Sequence, residues 1–417
     1  MDPARPVAGA LAVRGGRIAA VGSAEKVLRL REPASTVVDL EGKTVLPGFV
    51  DAHNHFSTAA LHVFWADCST PLLGSIAEIQ TALRRTANNT PPGEWVRGWG
   101  YHHAHLAERR HPTRHDLDEA VPDRPVILMH FSHHQCVANS RALASAGITR
   151  ATPDPPGGEI ARDKSGEPTG LLFERAMGLC EVKSREGWEA RFSEVAAAAS
   201  RRYAGAGITT VQDAAVSPRA AQRYLEAARA GHLGIRVQMM AVGAGGWFEA
   251  PAEVTRERAW ETAGPNLVAG PLKIFVDGGH HCAMRLPKGG EMVTSGFLFY
   301  QGGELADLLV SAWRRGWSVT CHAIGNLGVE TCVGAIEAAL RREPAGQGKV
   351  RIDHAMFLTH DLIGRIKALG IWVVVQPAFI YDLDRSGPES PGGFPRGVAP
   401  AEGAEDACRR GGGVAMS

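Results

Sequence analysis

The chain has 417 residues, of which 44% are hydrophobic and 21% are charged, and its formal net charge at pH 7 is +1. This near-neutral balance, without any basic run, argues against a nucleic-acid or polyanion partner. The seven cysteines stand at scattered spacings rather than in a disulfide framework, so we expect reduced thiols in a cytoplasmic protein. Residues 1–10 lack the features of a signal peptide, and no apolar run reaches the roughly 18 residues of a membrane span.

The first 47 residues predict a small β-domain, the β-sandwich portion of the protein. Short, largely apolar runs at residues 11–13, 17–21 and 36–40 are separated by glycines, which is typical of short strands. The apolar run 44–51 then predicts the first buried strand of a second domain.

Residues 59–199 predict an inserted subdomain that follows this strand. The segment is rich in Trp, His and Pro, and it shows no regular alternation of strands and helices. Insertions of this kind lie over the carboxyl ends of barrel strands and shape the pocket there. We therefore expect the insertion to cover the substrate.

From residue 200 onward, strand and helix patterns alternate. The predicted strands after the first are residues 208–211, 235–240, 272–276, 317–321, 350–352, 371–375 and 413–416. Eight strands separated by helices imply parallel pairing through right-handed crossovers. The sequence thus predicts an α/β fold, a (β/α)8 TIM-type barrel built from residues 48–58 and 200–417, with the last barrel strand and the C-terminal β-strands incomplete.

The sharpest local signal is the pair His53 and His55. Residues two apart in a strand point to the same face, so two imidazoles at a strand end can bind one cation. A chance pair among 17 histidines is the plainer interpretation. His322 and His354 favour the metal site, because each closes a later predicted strand at the face where barrel enzymes hold their catalytic groups.

Lys273 lies inside the apolar predicted strand 272–276. An unpaired ammonium is costly to bury, so an inward Lys273 has to lose its proton or react with carbon dioxide. The resulting carbamate is an anion that can bridge two metals. Alternatively, Lys273 lies at the strand end in a salt bridge, with Asp277 as the candidate partner, and the residues leave both interpretations open.

Several segments resemble the amidohydrolase superfamily and, within it, amidohydrolase family 3, the branch of YtcJ-like proteins. Residues 47–55 (PGFVDAHNH) look like the superfamily signature. The segments similar to family 3 stand in the right order along nearly the whole chain: 134–143 (HQCVANSRAL), 152–174, 273–278 (KIFVDG), 321–326 (CHAIGN) and 351–355 (RIDHA).

The resemblance implies a zinc centre with one or two Zn²⁺ ions, or with another divalent metal. The ligands that it implies are His53, His55, His322 and His354, together with Lys273 as a carbamylated bridging ligand. Family members would hydrolyse carbon–nitrogen bonds other than peptide bonds in small molecules. His134 and Asn139 match a motif in the inserted region and are predicted to bind substrate.

Two segments depart from the family pattern. After Asp277 the family continues with small and hydroxyl residues, whereas this chain has His280 and His281, which we interpret as loop residues. The family also places a metal-binding Asp at the end of strand eight, and the chain ends at Ser417, where that Asp is due. A C-terminally truncated form with weak or no turnover is therefore the expectation.

The predicted reaction is attack of metal-activated water on an amide carbonyl, with a carboxylate moving the proton to the leaving nitrogen. The strand-eight Asp would be that carboxylate, so no catalytic residue is assigned within the chain. Two alternatives stay open, namely a non-catalytic metal-binding fragment and a deacetylase or lactonase that acts on a sugar or ester. The expected partner is a small molecule rather than nucleic acid or a membrane, and a homodimer is left open.

Overall fold

The computed structural model describes residues 6–70, 72–185, 191–242, 265–279, 282–288, 291–376 and 414–416. His280 and His281, which the sequence assigns to a loop, lie outside these residues. Contacts divide the chain into two units, Met1–Phe49 and Val50–Ser417. In the described part of the chain, no helix is both long and apolar enough to cross a bilayer.

The first unit contains a hairpin of β1 (Ala10–Arg14) and β2 (Arg17–Gly22), followed by the short helix α1 (Ala24–Leu28). Both turn residues are glycines with positive φ, which a tight two-residue hairpin turn requires. These two strands were predicted. The predicted strand at residues 36–40 was wrong, because none of the described strands pairs with that segment.

The large sheet begins with β3 (Phe49–Asn54), later than the predicted 44–51. The chain then forms a separate six-stranded sheet. In chain order its strands are β4 (Ala66–Asp67), β5 (Val96–Tyr101), β6 (Val126–His130), β7 (Gln135–Ala138), β8 (Gly158–Arg162) and β9 (Pro168–Glu174). The helices of this region are α2 (Phe56–Ala59), α3 (Ile76–Asn88), α4 (Arg114–Ala120), α5 (Ser140–Ser145) and α6 (Gly178–Arg185).

In this second sheet the strand order is β4-β5-β6-β7-β9-β8, parallel from β4 to β6 and antiparallel beyond. Both faces are buried. Ile127 and Met129 of β6 belong to the main hydrophobic core, whereas Leu128 packs into a second core with residues of α3. The inserted region is therefore built into the core, and the domain limits predicted for it stay predictions.

The remaining strands of the large sheet alternate with helices. They are β10 (Ile208–Val216), β11 (Arg236–Val242), β12 (Leu267–Phe275), β15 (Val319–Ala323), β16 (Val350–His354), β17 (Trp372–Val375) and β18 (Val414–Met416). Between them lie α7 (Phe192–Gly205) before β10, α8 (Pro218–Arg229), the hairpin β13 (Met284–Lys288) and β14 (Glu291–Ser295), α9 (Gly302–Arg314), α10 (Asn326–Arg342) and α11 (His360–Ala368).

The large sheet has the order β3-β10-β11-β12-β15-β16-β17-β18, and every pairing from β10 to β18 is parallel. All five residues of β15 are buried, as expected for a strand covered on both faces. The predicted TIM-type α/β fold is confirmed. Since the strands run in parallel, the carboxyl ends of β12, β15 and β16 lie at one edge.

We predict that Gly325, between β15 and α10, accepts no side chain. A Cβ atom there would overlap the carbonyl oxygen of Ala283. Gly325→Ala is therefore expected to lower the free energy of unfolding by about 1–3 kcal/mol, the usual cost of overpacking. Urea unfolding measures the change.

The matched control is Gly334→Ala within α10, where an added Cβ meets no atom within 4 Å. Alanine favours a helix interior by about 0.5–1 kcal/mol over glycine, so this variant should be slightly more stable. Equal stabilities of the two variants would contradict the steric argument.

Candidate metal centre

The structure brings together the four histidines that the sequence places at strand ends. His53 lies on β3 and His55 directly follows it, with ring centroids 5.3 Å apart. The ring of His354, the last residue of β16, lies 4.7 Å from His53 and 4.6 Å from His322 on β15. Side chains separated by up to 301 residues thus converge at the mouth of the barrel.

The backbone of His354 is left-handed, with φ of +80°. Non-glycine residues seldom adopt this region, and such strain concentrates at functional sites. Neighbouring residues of a regular strand point to opposite faces. The turn at His354 breaks that alternation, so that Asp353 and His354 both reach His53.

Lys273 on β12 is completely buried, and its Nζ lies 2.5 Å from Oδ2 of Asp353. The same Oδ2 accepts a hydrogen bond from His53 Nδ1 over 2.7 Å, and Arg351 Nε lies 2.7 Å from Oδ1. The suggestion that Asp277 pairs with Lys273 was therefore wrong. The sequence interpretation did not single out Asp353, although a carboxylate directly before the strand-end residue His354 was a visible signal.

Asp277 instead organises the turn after β15. Its carboxylate accepts hydrogen bonds from the backbone N–H groups of Ala283, Ile324 and Gly325, and it lies 3.2 Å from His322 Nδ1. The Nε2 atom of His322 is buried and has no hydrogen-bond partner in the described part of the chain. An orphaned imidazole nitrogen of this kind suits a metal ligand.

Burial keeps the imidazoles of the centre neutral. It lowers the pKa of His53 to about 4, with Lys273 adding to the effect. The pKa values of His55, His322 and His354 are also lowered, mainly by burial. Metal binding requires neutral imidazole, so the donor set fits a divalent cation without a proton having to leave.

Asp353 stays ionised in the same environment. Burial by itself would raise the pKa of its carboxyl group, but Lys273 and His53 outweigh burial and hold the pKa well below its usual value. The buried carboxylate therefore acts as a fixed negative charge between its two partners.

His134, which the family resemblance suggests as a substrate-binding residue, lies next to this centre. Its Nδ1 lies 2.9 Å from Glu174 Oε2, and its ring lies 5.6 Å from that of His322. Glu174 has a positive φ of +49° and accepts a hydrogen bond from Gly279 N–H over 2.9 Å. Burial would lower the pKa of His134, but Glu174 raises it above its usual value.

Asn139 is not brought to the site. Its side chain is fully buried, caps α5 through the N–H of Ala142, and also pairs with the backbone of Val121, Arg124 and Val126. Both its amide nitrogen and its oxygen are thus used inside the fold. The predicted contact of Asn139 with substrate gains no support from this position.

A cavity of about 490 Å³ adjoins the centre. Its polar wall contains His134, Glu174, Lys273 and Asp277. The lining also includes Phe275, Phe299 and Tyr300, named here the aromatic wall, together with Met177 and Val242, and the Arg175 guanidinium lies 5.0 Å from the Phe299 ring centroid.

The sequence profile described as the amidohydrolase family matches residues 36–397. This chain belongs to the amidohydrolase family. The match includes the strand-end histidines and Lys273, so the resemblance drawn from the motifs is confirmed.

Two relatives of this amidohydrolase indicate its class of reaction. It is 37% identical to the N-substituted formamide deformylase of Arthrobacter pascens, over 91% of this chain and 71% of that protein. It is 31% identical to the putative amidohydrolase YtcJ of Bacillus subtilis strain 168, over 91% of this chain and 72% of that protein. The predicted class, a hydrolase of carbon–nitrogen bonds other than peptide bonds, is confirmed.

Solved structures of metal-dependent hydrolases share this fold. The amidohydrolase superposes on an uncharacterized metal-dependent hydrolase from Pyrococcus furiosus with a TM-score of 0.67 and 26% identity, over 89% of this chain and 74% of that one. A second such hydrolase, from Pyrococcus horikoshii, shares the fold at 24% identity and the same TM-score. The predicted metal dependence is thereby supported.

We predict that Asp353→Asn strongly destabilises the protein. Lys273 and Asp353 are both buried, and removing one member of a buried ion pair leaves the other charge uncompensated, at a cost of about 3–5 kcal/mol. Urea unfolding in the presence of a chelator measures this loss.

The control is Asp361→Asn on α11. Its side chain is 77% exposed and lies 3.7 Å from Arg365. An exposed pair contributes about 0–1 kcal/mol, so this variant should resemble the wild type. Similar stabilities for the two variants would show that Asp353 does not hold the centre together.

Proposed function

We propose that this amidohydrolase removes the formyl group from N-substituted formamides at a zinc centre of one or two ions. The name of the relative from Arthrobacter pascens provides the substrate class. The observation that carries the proposal is the convergence of His53, His322 and His354 beside buried Lys273, next to the cavity.

The proposed ligands all come from the mouth of the barrel: His53, His55, Lys273, His322 and His354. When bound, a divalent ion lowers the pKa of a water molecule to about 7 and polarises the amide carbonyl. The protein orients the rings, because Asp353 accepts a hydrogen bond from Nδ1 of His53 and the carboxylate of Asp277 lies 3.2 Å from Nδ1 of His322. Such carboxylate partners leave the Nε2 atoms for ligation.

Lys273 is proposed to act as a carbamate. Burial lowers the pKa of its amine, although Asp353 opposes the shift, so the ammonium loses its proton more readily than that of an exposed lysine. A neutral amine adds to carbon dioxide with formation of an N–C bond and release of one proton. The product is an anion in place of an ammonium, which suits a ligand of divalent metal.

The aromatic wall of the cavity supports a substrate with an apolar N-substituent. Phe275, Phe299 and Tyr300 face the same space as Lys273 and His134. The small formyl group would lie at the polar wall, and the substituent would pack on the rings.

The six cysteines in the described residues are free thiols, which supports a cytoplasmic location for the reaction.

His134 is proposed to hold a proton at the polar wall. Glu174 stabilises the imidazolium form and fixes the ring through Nδ1, which leaves Nε2 to donate a hydrogen bond. A donor beside the scissile amide can stabilise charge on the carbonyl oxygen or protonate the departing amine.

Zinc-loaded enzyme should hydrolyse N-benzylformamide at least tenfold faster, in kcat/KM, than N-benzylacetamide. The extra methyl group must fit beside the metal ligands, and one such group typically changes kcat/KM by about 10–200-fold. Release of benzylamine, followed by chromatography, measures the rates. Two further substrates, benzyl formate and an N-acetylated sugar, extend the comparison.

Three outcomes would contradict this proposal. A greater rate enhancement on the ester or the sugar would favour a lactonase or deacetylase. Bound zinc without turnover of any substrate would favour a non-catalytic metal-binding protein. Full activity of His322→Gln after zinc loading would show that the reaction does not need His322 as a zinc ligand.

His134→Gln is expected to lower kcat/KM by about 100-fold or more, within the range for loss of an acid–base group. Because Glu174 raises the pKa of His134, the wild-type rate should fall only as the pH rises above that raised pKa. The variant should lose this alkaline limb. His360→Gln, at an exposed position of α11, is the control and should keep both rate and profile. An unchanged limb in His134→Gln would overturn the role.

A further inference from the structure

A second group of histidines lies in the inserted region, away from the barrel strands. His102 and His103 directly follow β5, and His130 is the last residue of β6. These strands are parallel neighbours in the six-stranded sheet, with Tyr101 paired to His130. The carboxyl ends of the two strands therefore present the three imidazoles at one edge.

The three side chains approach one another closely. One ring nitrogen from each lies within 4.8 Å of the other two. His103 Nδ1 is 3.3 Å from His130 Nε2, and the ring of His102 lies 5.5 Å from that of His130. His102 and His130 are buried, whereas His103 is half-buried, so the group opens towards solvent on one side.

His130 is held by polar neighbours at its Nδ1. That atom lies 2.8 Å from Ser132 Oγ, and ligation of a metal through Nε2, which lies 3.3 Å from His103 Nδ1, requires the proton on Nδ1, where Ser132 Oγ can accept it. Metal-binding histidines are commonly fixed in this way by a partner at the second nitrogen. The side-chain nitrogen of Gln135 and the backbone N–H of Ser132 lie 3.1 and 3.3 Å from the same Nδ1, and both can donate to it while that nitrogen is unprotonated.

His102 belongs to the same neutral group. Burial, with His105 and His103 adding to it, lowers the pKa of His102 to about 3, so the ring carries no charge near neutral pH. Its Nδ1 accepts a hydrogen bond from Ala104 N–H over 3.2 Å, which sets the ring orientation. Binding a metal through this nitrogen would replace a single long hydrogen bond.

We propose that His102, His103 and His130 form a second metal site, which binds one late transition-metal ion such as Zn²⁺. Three neutral imidazoles suit zinc, copper or nickel, and solvent completes the coordination on the open side. The ligands come from β6 and from the turn that contains the short 3-10 helix His103–His105. A bound ion would therefore tie this turn to the end of β6, which is a structural role.

This site is independent of the proposed catalytic centre. Its ligands come from the inserted sheet, whereas the catalytic ligands come from strands of the barrel. The number of ions in the catalytic centre does not need to be known, because the test compares the zinc content of variants of the same protein. Failure of the formamidase proposal would leave the second site unaffected.

The test is the zinc content of purified full-length protein. Chelator-treated wild type, His103→Gln, His130→Gln and His115→Gln are dialysed against buffered micromolar Zn²⁺ and analysed by mass spectrometry for metal. His115 is an exposed histidine on α4 and serves as the control. We expect both cluster variants to lose one zinc per chain relative to wild type, while His115→Gln loses none.

Equal zinc content in all four proteins would overturn the site. Thermal unfolding of the metal-free variants checks that each one folds. Should the cluster variants fail to fold, anomalous diffraction at the zinc edge from wild-type crystals grown with three equivalents of Zn²⁺ decides the question. A peak among the three imidazoles supports the site, and its absence while the barrel histidines hold zinc refutes it.

Discussion

The centre of this amidohydrolase depends on one buried carboxylate. Asp353 is shielded from water and contacts both the ammonium of Lys273 and the imidazole of His53, over 2.5 and 2.7 Å. Without these partners a buried charge would be too costly to keep. Because the three residues come from three different strands, the same contacts that neutralise the charge also fix the carboxyl ends of those strands relative to one another.

Carboxylate support is repeated around the cavity. Three histidines each have an acidic partner at Nδ1, and the pairs are His53 with Asp353, His322 with Asp277, and His134 with Glu174. A carboxylate fixes the orientation of the ring and its tautomer, which prepares the opposite nitrogen for a metal or a substrate. The pKa shifts differ in direction, because burial dominates at His53 and His322 whereas Glu174 dominates at His134.

Parallel strands explain why histidines cluster in both sheets. Among the parallel strands of each sheet, the carboxyl ends of neighbours lie side by side, so polar residues that end the strands meet even when they are far apart along the chain. His322 and His354 meet in this way in the barrel, and His103 and His130 meet in the inserted sheet. Buried strands are mainly apolar in their interior, so the chemistry of a barrel gathers at the ends of its strands.

The sequence by itself predicted the features that depend on residues close together along the chain. The two-residue spacing of His53 and His55, and the alternation of apolar strands with helices, predicted the barrel and the position of its histidines. The contact between Lys273 and Asp353 was beyond such reasoning, since it joins residues 80 apart and depends on the register of β12, β15 and β16. Sequence proximity suggested Asp277 instead, and a motif suggested Asn139 as a substrate ligand. Only the tertiary structure decided which carboxylate pairs with Lys273 and showed that Asn139 is hydrogen-bonded inside the fold, because burial and hydrogen-bond satisfaction are set by neighbours that no local segment contains.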